Sequence, residues 1–386
     1  MNVGVLLIIA HLVLCDRLMM RENEELKRNC GAYTLNQRNS YKSFGGRNVA
    51  PNEFPWLAKI FTRRGDNYVL CAGVQISSRH IMTAAHCVMT YDEELNSMQC
   101  LYRKERRRFQ RNFLPVQNFS IYVGTRCNFP ESCMPRHEAV KLWAHEQWDE
   151  CDLSHDIALI ELKNNVPILE SSPVCLPEEN TKIAQLLHSA GSGMDSTITS
   201  GNKYARGMQV VNLRRKSENK TLAMITTRGQ SSAMCGGDSG GPLFQFNTRG
   251  QYTAVGVVSG ALVECGEENF NNENFFADVR QHLAWICSRT GVCPISVRTN
   301  APSIVNTAPV VQSYSQNARP SNTFFTWNQG SNSANNFNQQ SNWFYLNDQT
   351  KRVMYLNQQS NGIYSNMWSN PNYFNQRSYP GYNHLY

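Results

Sequence analysis

What the chain lacks narrows its class before any motif is read. Beyond the first fifteen residues no run is apolar for the roughly twenty residues that a membrane-spanning helix needs, so no anchor of that kind is expected. The thirteen cysteines and nine histidines show no zinc-type spacing, and neither a metal nor an organic cofactor is expected. Charge of one sign is in small excess: 37 Lys and Arg against 30 Asp and Glu leave +7, part of it in a single loop. That balance gives no ground for a nucleic-acid partner. Aliphatic periodicity and charge both fade after Pro294, where Asn, Gln, Ser, Tyr, Phe and Trp take over to Tyr386. A tract of that kind cannot offset its ordering entropy with a packed core, so 295–386 is expected to be a disordered tail. It reads as a passive spacer, or as a self-associating tether by its polar-aromatic pattern.

What is there suits one domain with appendages. The 386 residues do not divide evenly, and a globular part of about 250 residues is a normal single unit. The apolar start, 1–15, reads as a secretory signal peptide. The polar and charged segment 16–42 reads as a propeptide or as a surface helix, and 43–294 as the globular unit. If Cys15 leaves with the signal, twelve of the thirteen cysteines remain, an even set that fits disulfides in an oxidising compartment.

The chain is organised around Cys235-Gly236-Gly237-Asp238-Ser239-Gly240-Gly241-Pro242. A serine hydroxyl is a weak nucleophile, so a serine that attacks a carbonyl needs an exposed tight turn and backbone N–H groups that receive the developing oxyanion. Glycines on both sides permit that turn, and the N–H groups of Gly237 and Ser239 would together form an oxyanion hole. For this run alone a Gly-rich surface turn is the plain alternative. Two further motifs decide between them. Thr83-Ala84-Ala85-His86-Cys87 lies upstream, and Asp156-Ile157-Ala158-Leu159-Ile160, an acid opening a buried-strand pattern, lies between. The order His, Asp, Ser is that of the chymotrypsin-type triad.

On these motifs the chain resembles the trypsin/chymotrypsin-like serine peptidases from about Ser43 to about Cys287. The resemblance implies an all-β fold of two six-stranded antiparallel β-barrels with a C-terminal helix. It implies a hydrolase acting on protein or peptide substrates, with His86, Asp156 and Ser239 as catalytic residues and Ser259 beside the triad aspartate. It further implies the disulfides Cys71–Cys87, Cys235–Cys265 and Cys30–Cys175. Cys287 with Cys293 reads as a local loop, while the pairing of Cys100, Cys127, Cys133 and Cys151 stays open. Thr226 and Gln245 stand where half-cystines of the family are expected. An activating trypsin-like protease would cut after Lys42, and the freed amine of Ser43 would pair with Asp238. Here Ser43-Phe44 replaces two aliphatic residues, forgoing on the order of 1.5–3 kcal/mol of burial for an Ile-sized side chain.

In trypsin-like members an aspartate six residues before the nucleophile pairs with a substrate Lys or Arg; this chain has Ala233 there. With Ser259, Ala261 and Asn274 as the other pocket positions, small or medium uncharged residues are expected before the scissile bond. Glu264, in a longer loop nearby, is the alternative source of a pocket charge. Between His86 and the strand at Ile121 runs Leu101-Tyr102-Arg103-Lys104-Glu105-Arg106-Arg107-Arg108. This is either a solvated charged face or a basic lip for an acidic protein or polyanion. Asn118 and Asn219 head N-glycan sequons. The reading is a secreted, extracellular endopeptidase made as a zymogen. Its rival from another class is a weakly active or inactive homologue that binds through the basic loop and the tail.

Overall fold

The structure is a computed structural model that describes residues 17–32, 46–90, 111–195, 207–229, 234–261 and 273–294, with Cys100, Ile198 and Tyr204. Helix α1 (Met20–Asn29) precedes β1 (Arg47–Asn48), β2 (Leu57–Arg64), β3 (Asn67–Gln75), β4 (His80–Thr83), the short helix α2 (Ala85–Val88), β5 (Met89–Thr90) and β6 (Asn112–Phe113). Then come β7 (Phe119–Val123), α3 (Pro130–Cys133), β8 (Arg136–His137), β9 (Ala139–Ala144), β10 (Ala158–Leu162), β11 (Leu186–Gly191), β12 (Gln209–Asn219) and β13 (Met224–Arg228). Strands β14 (Pro242–Phe246), β15 (Tyr252–Ala261) and β16 (Glu273–Asp278) and helix α4 (Leu283–Thr290) follow.

Apart from the two-stranded pair β5-β6, the strands form two antiparallel sheets, in the orders β8-β7-β2-β3-β4-β10-β9 and β1-β12-β11-β14-β15-β16-β13. Strand β12 also pairs with β13, so the second sheet closes into a ring of six strands with β1 added outside it. Each sheet thus holds the six expected strands and one extra strand of two residues, β8 or β1. Strand β10 is buried at every position, and β15 is buried from Tyr252 to Ser259. The near-continuous apolar sequence of both strands is what burial on two faces requires.

The sheets meet across a cluster of rings. Phe54 and Trp56 come from the first half of the chain, Phe244 and Tyr252 from the second. Phe54 stands edge-on to Phe244 at 5.0 Å and to Tyr252 at 5.6 Å. Each such contact adds about 0.5–1.5 kcal/mol to area burial. This junction sets the two sheets against each other and so places loops from both at one seam.

The polar segment 17–32 is docked rather than loose. The Leu18 N–H donates to Thr290 O at 2.8 Å, and the side chain of Asn23 both donates to Cys293 O and accepts from Cys293 N, each at 3.0 Å. Gly31 N–H donates to Pro173 O, and Tyr252 N–H to Gly31 O. Cys30 is bonded to Cys175. Helix α1 is therefore held by polar bonds and a disulfide, with Leu18 and Leu26 packed against the core beside them.

The other disulfides are Cys71–Cys87, Cys100–Cys151, Cys127–Cys133 and Cys287–Cys293. Cys235 is also disulfide-bonded, while Cys265 lies outside the described residues. At Gln245, where a half-cystine was expected, the side chain makes two hydrogen bonds to the 182–184 segment: Oε1 accepts from Ala184 N at 2.8 Å and Nε2 donates to Lys182 O at 2.9 Å. Outside the described residues lie the signal at 1–15, Lys42 and Ser43, the basic run 101–108, Ala233, Glu264 and the tail 295–386.

Candidate active site

His86 owes its position to a strand that stops. β4 ends at Thr83, and one turn of helix, α2, turns the chain so that the His86 side chain keeps 11% of its surface exposed. Cys71–Cys87 ties α2 to β3, and Arg64 of β2 donates through Nη2 to His86 O at 2.8 Å and to Met89 O at 3.3 Å.

Asp156 precedes β10 and is fully buried. An isolated buried carboxylate is costly, and here three donors satisfy it. His86 Nδ1 stands 2.7 Å from Oδ2, His86 N–H donates to Oδ1 at 3.0 Å, and Ser259 Oγ donates to Oδ2 at 2.6 Å. With its Nδ1 proton given to Asp156, neutral His86 carries its lone pair on Nε2, as a general base requires. That Nε2 has no hydrogen-bond partner.

Ser239 sits on a turn pinned to both sheets. Ala72 N–H of β3 donates to Ser239 O at 2.7 Å, and Gly240 N–H donates to Val258 O of β15 at 2.9 Å. Gly237 has φ +101°, in the left-handed region that favours glycine, and a Cβ there would stand 3.0 Å from Gly193 Cα. The seam therefore brings His86, Asp156, Ser239, Gly237 and Ser259 together.

Asp238 is held by backbone alone. Its Oδ1 accepts from Gly193 N at 2.7 Å and its Oδ2 from Cys235 N at 2.9 Å. A Cβ on Gly193 would lie 2.6 Å from Asp238 Cγ, so the run Gly191-Ser192-Gly193 is a cradle for this carboxyl. Burial raises the Asp238 pKa from 3.8 to about 6, against the pull of those two N–H donors. Among the described residues no cation pairs with it. Burial and the charge of Asp238 also hold the Tyr204 phenol above its ordinary range. Tyr204 lies in a stretch with no periodicity or motif, so nothing in the sequence pointed to it.

Two of the expected pocket positions meet among the described residues. Ala261 and Asn274 are direct partners across β15 and β16, and Asn274 is completely buried. Its Oδ1 accepts from Met234 N at 2.8 Å, while its Nδ2 has no hydrogen-bond partner. Asn274 thus bridges β16 to the segment that leads into Ser239, next to the position of Ala233. The sequon residues differ from each other. Asn118 is half-buried and donates through Nδ2 to Arg63 O at 2.9 Å; Asn219 is exposed.

A family model described as Trypsin matches residues 43–286. Chymotrypsin-C of Bos taurus is 28% identical over 278 residues, covering 67% of this chain and 92% of that protein. Phenoloxidase-activating factor 1 of Holotrichia diomphalia is 29% identical over 283 residues, covering 69% of this chain and 73% of its own length. Mannan-binding lectin serine protease 1 of Homo sapiens is 26% identical over 279 residues, covering 68% of this chain and 38% of its own length.

Proposed function

The chain belongs to the trypsin family of serine-type endopeptidases, and from that premise we propose that it is a secreted zymogen whose triad is His86, Asp156 and Ser239. The observation that carries the reading is the buried Asp156 carboxylate, which holds His86 Nδ1 and leaves Nε2 free at the seam where the Ser239 turn is pinned. In the proposed mechanism Ser239 Oγ attacks the scissile carbonyl as His86 Nε2 takes its proton. The Gly237 and Ser239 N–H groups receive the oxyanion, and His86 then gives the proton to the leaving amine. Water, deprotonated by the same imidazole, hydrolyses the acyl-enzyme.

Activation follows from Asp238. A trypsin-like protease cuts after Lys42, and the Ser43 amine supplies the cation that the Asp238 carboxylate lacks among the described residues. In the same reading the hydrogen bond between Ser239 Oγ and His86 Nε2 is completed at that step, since such contacts tighten on the way to the productive complex. The propeptide 16–42 stays attached through Cys30–Cys175. Signal 1–15 directs secretion, the described residues contain no helix long and apolar enough to cross a membrane, and glycans sit at Asn118 and Asn219.

Substrate choice rests on the pocket. With Ala233 at its base and Asn274 filling one wall, a substrate Lys or Arg would be buried without a counter-charge, which costs several kcal/mol. Small or medium uncharged residues such as Ala, Val or Leu fit. Amide hydrolysis by the chain cleaved after Lys42, absent in Ser239→Ala, tests the activity. The specificity fails if kcat/KM for an Arg-amide equals or exceeds that for matched Ala- and Leu-amides. Asn274→Gly is expected to widen acceptance towards Phe and Tyr.

A further inference from the structure

Two histidines of one stretch, His145 and His155, meet a third from 127 positions beyond His155 beside the triad, where nothing in the proposed mechanism uses them. His145 follows β9, His155 immediately precedes Asp156, and His282 leads into α4. Their rings form a closed trio, with centroids 4.9 Å apart for His145 and His155, 4.9 Å for His145 and His282, and 5.2 Å for His155 and His282. One nitrogen from each lies within 4.8 Å of the others. We propose that His145, His155 and His282 form a binding site for a divalent transition-metal ion of the zinc type.

The second contacts of these rings support the assignment. His282 is fully buried, and its Nδ1 lies 2.7 Å from Asp278 O. A carbonyl can only accept, so Nδ1 carries the proton and Nε2 presents its lone pair to the trio. A carbonyl fixing the remote nitrogen is the arrangement that orients histidine ligands on metals. That Nε2 stands 3.0 Å from His155 Nδ1, so the two nitrogens share one proton. A metal ion takes the place of that proton when His155 moves its own to Nε2. Tetrahedral zinc, with Zn–N of about 2.0–2.1 Å, holds its nitrogens about 3.3–3.4 Å apart. At 3.0 Å the His155–His282 pair is close to that spacing, and His145, within 4.8 Å, gives up the hydrogen bond that its Nδ1 accepts from Gln147 N at 3.3 Å when it closes on the pair.

The electrostatics agree with the geometry. Burial lowers all three pKa values, to about 4 for His145 and about 3 for His282, so the rings are neutral ligands at pH 7. Arg289, whose charge also disfavours the protonated form of His145, is engaged by Glu146 at 2.5 Å, and Asp152 favours positive charge at His155. Packing alone gives no reason for three imidazoles here, because phenyl rings would bury as much apolar surface without polar atoms to satisfy.

The full-length chain, purified and stripped with a chelator, is titrated with Zn2+ by calorimetry and with Co2+ by visible absorption. Expected are one ion per chain, a tetrahedral cobalt spectrum and a rise in Tm with zinc, since an ion that binds only the folded state stabilises it. His145→Gln and His155→Asn are expected to weaken binding at least about tenfold. Asn suits position 155 because the residue has φ +54°, a conformation asparagine tolerates. No saturable binding to the wild type overturns the proposal, as does equal affinity in both variants with their circular dichroism unchanged. If the trio is only a packed ring cluster, neither metal changes Tm or produces a cobalt spectrum.

Discussion

Three donors converge on the Asp156 carboxylate, and the proton on His86 Nδ1 is the one on which the proposed chemistry depends. In Asp156→Asn the amide can turn a donor towards Nδ1, which forces the imidazole into the wrong tautomer. The expected loss in kcat is about four orders of magnitude, the size such a tautomer error costs in a triad. A loss under tenfold in an amide assay would contradict the proposed role. Asp238 carries a second prediction at this scale. Its folded pKa, about 6, lies above the ordinary value of 3.8, so the folded uncleaved chain binds this proton more tightly than the unfolded chain. Its contribution to stability is therefore complete below about pH 3.8 and is lost as pH rises through about 6. The urea midpoint of uncleaved Asp238→Asn should fall less from pH 4 to pH 7 than that of the wild type, and superimposable curves would refute the buried-carboxyl account. Ser239, His86 and Asp156 could be proposed from the sequence because each sits in a local motif. The histidine trio could not, since His155 and His282 are 127 positions apart and meet only through the fold.

Among the elements, α1 shows what composition can and cannot say. Its polar sequence was read as a propeptide, with a surface helix as the plain alternative, and the structure gives a helix docked on the body through Asn23 and Cys30. Leu26 packs on the core but makes no apolar stripe by itself, so the docking, completed by the Asn23 side chain and a disulfide, was not announced by a pattern. If 16–42 is a retained propeptide, reducing and non-reducing gels of the chain cleaved after Lys42 should differ by one small fragment. The double variant Cys30→Ser, Cys175→Ser should release that fragment and lose about 2–4 kcal/mol of stability. Gln245 shows the reverse: it stands where a half-cystine was expected, and its two hydrogen bonds tie β14 to the 182–184 segment. The basic run 101–108 is tested through function. Replacing Arg106, Arg107 and Arg108 by Gln is expected to slow cleavage of an acidic protein but not of a small amide. The difference should shrink at high salt, as the screening length falls from ~10 Å at 0.1 M to ~3 Å at 1 M. Equal effects on both substrates leave the run as a solvated face.

At the scale of the molecule, two β-sheets joined by Phe54, Trp56, Phe244 and Tyr252 bring residues from both halves of the chain to one seam. That architecture was legible because the strands alternate or run apolar and the three motifs come in one order. The short strands β1 and β8 were not, since two residues carry no period. The central claim is that this seam makes Ser239 a nucleophile, once cleavage after Lys42 frees the Ser43 amine. The direct measurement is fluorophosphonate labelling of the cleaved chain, with the adduct mapped by mass spectrometry. The account predicts a single phosphonylated residue, Ser239, no label in Ser239→Ala and strongly reduced label in the uncleaved chain. A cleaved wild-type chain that takes no label, or one that is labelled equally in Ser239→Ala, would contradict it.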